Sequence, residues 1–362
     1  MTAETHFRPP GRRARRAAAL LLALALAAAG AACAQEADSG GGQVAVDGGG
    51  EAEGTGGSGG SGGSAEFAAT AEFLKETAAK TAEESHRIEV RIGLDEVADS
   101  APPAMTGEFD GARSHVRMDL AVIMEEVSSG MGVGDISGVF GDADMTMETI
   151  SDGDTLYIRA PFFATLGEMM PTGATPGADE LAALGDGWGS VSIAGLGEVL
   201  PEDVAASIAG QQSFNPRAAV EMMENAEGVE ELGTEEIDGV TQRGLRADVT
   251  FADLIRTSGI DPETYAETAG ADAEAMMGEL IDMRMPVEVW VDDDGYLRTL
   301  TYTLSMGDLI GAIGEDLPGG AGLGEMDFVY AIRFADYGAD FSFETPPGAT
   351  DITDAFAEIY NG

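Results

Sequence analysis

The chain has 362 residues, 19 of them basic and 65 acidic, for a formal net charge of −46. That balance repels nucleic acid and anionic headgroups and leaves too few basic residues for a phosphate-reading patch. Its single cysteine, Cys33, excludes a disulfide framework within the chain.

Arg8, Arg12, Arg13, Arg15 and Arg16 open the chain, and an apolar run from Ala17 to Ala32 follows. Basic, then apolar, then small residues is the layout of a secretory signal peptide. The run's 16 residues fall short of the ~20 that a spanning helix needs. No later segment is continuously apolar for that length. Residues 1–32 are therefore read as a signal peptide and the remainder as exported, without a spanning helix. Five basic residues and one acidic residue precede Cys33, which leaves 14 against 64 beyond them, formally −50.

Cys33 has two readings. Following Ala31 and Ala32, it receives diacylglycerol and becomes the new N-terminus. Alternatively, Ala32-Cys33-Ala34 is an A-x-A cleavage site and the thiol leaves with the signal. The lack of any other cysteine and the tether that follows favour lipidation; Gly30, at a position where an aliphatic residue is usual, counts against it. A lipidated Cys33 anchors the protein to the outer face of the cytoplasmic membrane, firmly if two or more acyl chains are attached.

Residues 33–64 read as linker. From Asp38 to Ser64 the chain is Gly, Ser and acidic residues, including "GEAEGTGGSGGSGGS", with too little apolar content to pack. Its r.m.s. reach is on the order of 30 Å. Gly59 to Gly63 match G-x-S-x-G, but a nucleophile elbow needs a strand before it and a helix after it. Both flanks here are linker.

Residues 65–362 form the folded part. Phe67, Ala71, Leu74 and Ala78 recur at helical spacing and predict an opening amphipathic helix. The period then becomes two: Ile88, Val90, Ile92 and Leu94 alternate with Arg87, Glu89, Arg91 and Gly93. Val116, Met118, Leu120 and Val122 alternate with His115, Arg117 and Asp119. Such alternation predicts antiparallel strands with one apolar face. "TGEFD", "MTMETI", "DTLYIRAP", "WGSVSI", "EELGTEEI", "TQRGLRADV", "PVEVWVDD", "YLRTLTYTLSM" and "MDFVYAIRFADYG" bring the count to about eleven strands. Asp-Gly pairs at 152–153, 238–239 and 294–295 predict tight hairpins. Helices are predicted around 179–184 and 202–208, in "NPRAAVEMMENAEG", and from Phe251 to Met285, where Asp261-Pro262 supplies a cap and a first-turn proline. Residues 127–145 read as a Gly- and Met-rich loop between two strands.

The order of these segments resembles the LppX/LprAFG lipoproteins of actinobacteria, which share the LolA/LolB fold. The resemblance rests on Cys33 and its tether, the opening helix, "HRIEVRIGL", "SHVRMDL", "ISDGDTLYIRAPF", "GDGWGSVSI" and above all "MPVEVWVDDDGYLRTLTYTL". It implies an α+β fold: a strongly curved antiparallel half-barrel with helices packed on its concave face. Acyl chains of a lipid or lipoglycan would sit between sheet and helices, bound and transported without a chemical step. The lining would come from Ile88, Val90, Ile92, Val116, Met118 and Leu120, then Met145, Met147, Leu156 and Ile158. Val289, Leu300, Tyr302, Leu304, Ile332 and Phe334 would complete it. The Phe251–Met285 helices would act as lid. The same fold also serves a second reading, an envelope sensor or docking module that binds and regulates another protein.

Catalytic and metal chemistry find no constellation. His86 and His115 stand at or near strand starts and read as wet-face or edge residues, and no thiol or activated serine accompanies them. "WVDDDGYL" fails as a calcium loop, because Trp290 stands at the first ligand position and Thr301 at the twelfth. No cofactor is implied. Met169-Met170, Met222-Met223 and Met276-Met277 suit either an adaptable apolar surface or ordinary core filling.

Overall fold

Alternation of apolar and polar residues every second position gives strands whose inner faces must share one core. The computed structural model describes residues 63–95, 97, 101–130, 144–162, 164, 183–185, 187–199, 220, 222, 223, 226, 228–257, 280–313 and 326–355. The strands are β1 (His86–Leu94), β2 (Met105–Asp110), β3 (Arg113–Asp119), β4 (Thr146–Ser151), β5 (Thr155–Arg159) and β6 (Gly189–Ser192). They continue with β7 (Glu230–Ile237), β8 (Val240–Thr250), β9 (Arg284–Asp292), β10 (Leu297–Ser305), β11 (Asp327–Ala335) and β12 (Thr350–Asp351). All lie in one 12-stranded sheet ordered β12-β6-β5-β4-β3-β2-β1-β11-β10-β9-β8-β7. Two meanders are joined where β1 pairs with β11, Ile88 opposite Phe334 and Val90 opposite Ile332. Every neighbouring pair is antiparallel except β12 with β6. A sheet this wide curls under its own twist. It forms an open, strongly curved α+β half-barrel, with β12 and β7 as its free edges. The twelfth strand, beyond the eleven expected, is the two-residue β12.

Described helices are α1 (Gly63–Glu83), α2 (Leu120–Gly130), α3 (Ile193–Val199), α4 (Phe251–Thr257) and α5 (Met306–Ile313), with a 3₁₀ turn at Ala183–Gly185. Helix α1 buries Thr70, Leu74, Thr77, Ala78 and Thr81 along one stripe, so the small and branched face of the helix meets the sheet. Four helices begin where a strand ends on a capping side chain. Asp119 Oδ1 accepts from the Ala121 amide at 3.0 Å and opens α2. Ser192 Oγ accepts from Gly195 N at 3.1 Å for α3. Thr250 and Asp253 cap each other's amides, both at 3.2 Å, for α4. Ser305 Oγ accepts from Asp308 N at 3.3 Å for α5.

The element boundaries correct two sequence expectations. Leu120 and Val122 continue the β3 alternation on paper, but Asp119 turns the chain into α2 there, so neither is a strand residue. The span expected as one helical stretch to Met285 starts as α4, yet Arg284 and Met285 belong to β9. Residues 258–279 lie outside the described residues, as do 131–143 of the expected loop and most of the other expected helical segments. Helix α5 was not foreseen.

Antiparallel pairing sorts the connections onto two rims. Tight turns join β2–β3, β4–β5, β7–β8 and β9–β10 on one of them. The three predicted Asp-Gly hairpins are there, with Gly153, Gly239 and Gly295 at positive φ (98°, 79° and 82°). Asp110-Gly111 makes a fourth, with Gly111 at φ 60°. Connections after β1, β3, β5, β8 and β10 all leave from the opposite rim, and α2, α4 and α5 start there.

Candidate functional site: the inner face of the half-barrel

Cross-strand register puts the apolar positions on one face. One row runs Phe334, Ile88, Gly107, Val116, Thr149, Ile158; the next runs Val289, Leu300, Ile332, Val90, Met105, Met118, Met147. The opposite face carries charge: Arg87 pairs with Glu108 at 2.9 Å, His115 with Glu148 at 2.7 Å and Arg246 with Glu288 at 3.6 Å.

The sixteen predicted lining residues are not covered alike. Ile88, Val90, Ile92, Met118, Val289, Leu300, Tyr302, Leu304, Ile332 and Phe334 are buried in one continuous apolar cluster. Val116, Leu120 and Met147 pack against that cluster but stay partly exposed. Met145 and Leu156 are also half-buried, outside the cluster, and Ile158 is buried beyond it. Leu120 arrives from α2 and not from a strand. Cys33 lies outside the described residues.

The turn rim carries an aromatic cluster. His86 is only 6% exposed, stacked on Phe109 at 5.3 Å between ring centroids, with Tyr337 at 5.9 Å and Phe334 at 6.1 Å. This differs from the wet-face reading of His86: as an even-numbered residue of β1 it shares the inward face of Ile88. Tyr337 stacks on Tyr296 at 4.5 Å and donates its hydroxyl to Leu297 O at 2.5 Å. The Lys80 ammonium, from α1, sits 4.2 Å over the Tyr296 ring. Asp292 completes this end, its side chain 2% exposed and paired with Arg298 at 2.6 Å.

The helical rim differs. Leu94, Leu120, Val122, Ile123, Met147 and Met306 all border the core there and all remain partly exposed. Leu94, read as an apolar strand residue, is not among the expected lining residues, nor are Ile123 and Met306, although the S-M-G-D capping box at 305–308 marks the turn that delivers Met306. Tyr302 stands opposite Tyr330 across β10–β11 on the inner face. Burial pushes the Tyr330 hydroxyl above the ordinary tyrosine range. Chemically this face is apolar. Among the described residues no three His, Cys, Asp or Glu side chains gather as a metal site would need, and no described helix is long and apolar enough to cross a membrane.

No protein-family profile matches the sequence, and no curated protein matches it. The structure is similar to that of LprF from Mycobacterium bovis, with 12% identity, 78% of this chain and 98% of that one covered, and a TM-score of 0.37. It is similar to the lipoprotein LppX of Mycobacterium tuberculosis at 11% identity, over 76% and 99% of the two chains, with a TM-score of 0.34. A LolA superfamily protein from Nitrosomonas europaea is similar at 12% identity, over 76% and 97%, with a TM-score of 0.20.

Proposed function

We propose that the chain is an exported, lipid-anchored envelope protein that holds the acyl chains of a lipid or lipoglycan against the inner face of its half-barrel and carries them without a chemical step. The carrying observation is the contrast between the two rims. The turn rim is packed with the aromatic cluster of His86, Phe109, Tyr296 and Tyr337, whereas the helical rim presents a run of half-covered aliphatic and methionine side chains continuous with a dry core. Two acyl chains of about sixteen carbons carry a transfer energy on the order of 25 kcal/mol at ~0.8 kcal/mol per CH₂. A lipid leaves a bilayer only for a compartment that is comparably dry. Methionines at the rim suit variable chain lengths. Cys33 and the tether supply attachment and reach.

Native mass spectrometry of the protein purified from its own envelope tests this. Co-purifying diacylated or triacylated lipid is the expected result. A protein that emerges empty, and takes up no acyl chain from mixed phospholipid vesicles, overturns the proposal.

A further inference from the structure

We infer that the face of the sheet turned away from the core carries a second, independent site, a cleft for a neutral saccharide between β5, β6 and the segment leading into β12. After β11 the chain crosses this outer face: Phe341 lies over the Arg87 guanidinium at 5.8 Å and Phe343 over that of Arg113 at 5.5 Å. It then reaches β6, where Thr350 N donates to Trp188 O at 2.8 Å and Ile352 N to Ser190 O at 2.9 Å. Between this crossing segment and the sheet lies a cleft of about 400 Å³, within the range of roughly 300–1,000 Å³ usual for small-molecule sites. Its walls are fixed by those main-chain bonds, by the buried Pro346 and by Thr353 Oγ1, which accepts from Ser192 N at 3.0 Å.

The lining sets the ligand class. Five hydroxyl-bearing residues line the cleft, Thr155, Tyr157, Ser190, Ser192 and Thr345, and the Tyr157 hydroxyl donates to Asp152 Oδ2 at 3.4 Å. The hydroxyls of Thr155, Ser190 and Thr345 have no hydrogen-bond partner among the described residues, and Ser192 Oγ accepts one amide and keeps its proton to donate. A hydroxyl both donates and accepts, so such a set matches the paired donor and acceptor of each sugar hydroxyl. Asp351 adds one carboxylate. Oδ1 is engaged by Thr353 N at 3.0 Å and Thr353 Oγ1 at 2.7 Å, which leaves Oδ2 to accept from a ligand. The Tyr157 ring adds an apolar face for the C–H side of a pyranose. No cationic side chain lines the cleft, which excludes phosphate and sulfate, and the polar walls exclude an acyl chain. This site lies on the opposite side of the sheet from the inner face, so it does not rest on the lipid proposal.

Saturation-transfer NMR on the full chain tests it, with maltotriose, mannotriose and chitotriose as probes. Saturable binding of at least one is expected, with a dissociation constant on the order of 1 mM. Thr155→Val and Ser190→Val should each weaken it about tenfold, by removing one hydrogen-bonding group while keeping a strand-forming side chain. Thermal melting identifies any variant that fails to fold, and the other then decides. Met147→Asp, on the inner face, should leave the affinity unchanged. Absence of saturable binding by all three sugars overturns the inference, as do equal affinities in both folded valine variants or preferential binding of inorganic phosphate.

Discussion

Met118 and Met147 are direct partners across β3 and β4 on the inner face, yet Met118 is 6% exposed and Met147 remains partly open to solvent. The edge of the packed core falls between these two side chains. A charge at Met147 therefore keeps access to water, whereas one at Met118 does not. Met147→Asp should shift the melting temperature by a few degrees at most and lower retention of a fluorescent fatty acid at least about tenfold. Met118→Asp should unfold the domain. Full retention by folded Met147→Asp would remove this rim from the binding surface.

Helix α2 carries three of the half-covered rim residues, Leu120, Val122 and Ile123, and Asp119 holds its first turn. Asp119→Ala removes the acceptor for the Ala121 amide and should cost about 1 kcal/mol, the usual value of such a cap. Hydrogen exchange should accelerate at Leu120 to Ile123 before it changes in β3. Unaltered protection there would mean that packing and not the cap fixes α2.

The same cap marks the limit of what the sequence disclosed. Alternation over β1 and β9–β11 is clear because each strand lies in the middle of the sheet, with one continuous apolar side against the core. Leu120 and Val122 fit that period by accident, and local capping by Asp119 outweighed it. His86 was misplaced because a histidine at a strand start reads as polar, while strand parity, which aligns it with Ile88, was the better guide. The inner-face residues were legible from parity alone. Their unequal covering was not, since it depends on which helices return over which strands. The outer cleft gave no local signal: Thr155, Ser190 and Thr345 meet only because the chain crosses the sheet after β11.

Gly244 and Trp290 are opposed across β8 and β9, with the indole lying over the glycine. A β-carbon at Gly244 would stand 2.7 to 2.9 Å from three indole carbons. Gly244→Ala should therefore lift the ring and destabilise the protein by about 1–3 kcal/mol, as overpacking does. Chemical denaturation measures the loss, and Trp290 emission should shift to longer wavelength as the ring is exposed. An unshifted spectrum with unchanged stability would show that the indole has room to move.

Asp292 and Arg298 bracket the β9–β10 hairpin and are unequally buried, 2% and 27% exposed. Asp292 also accepts from Tyr296 N at 2.8 Å, and Arg298 lies 5.4 Å from the Tyr337 ring centre. Arg298→Ala strands a buried carboxylate and should cost about 3 kcal/mol. Asp292→Asn keeps an acceptor and leaves the arginine a route to solvent, so it should cost less. Urea midpoints rank the two variants, and the reverse order would mean that the arginine is the dependent partner.

Tyr330 and Tyr337 carry the fold's response to alkali. Burial is the main cause that raises both hydroxyls above the ordinary value of 10.0; at Tyr337 the neighbouring Asp292 and Tyr296 add to it, while Arg298 opposes. In the unfolded chain both phenols ionise near that ordinary value, and in the native protein they stay protonated. Their contribution is therefore complete below about pH 10 and declines as the pH rises further, by up to about 1.4 kcal/mol per pH unit for each tyrosine. Unfolding free energy measured from pH 9 to 11.5 should bend downward near pH 10. Tyr330→Phe deletes the ionising group but keeps the ring, so the descending limb should become shallower by about one proton. An identical limb in wild type and Tyr330→Phe would place the alkali-sensitive group elsewhere.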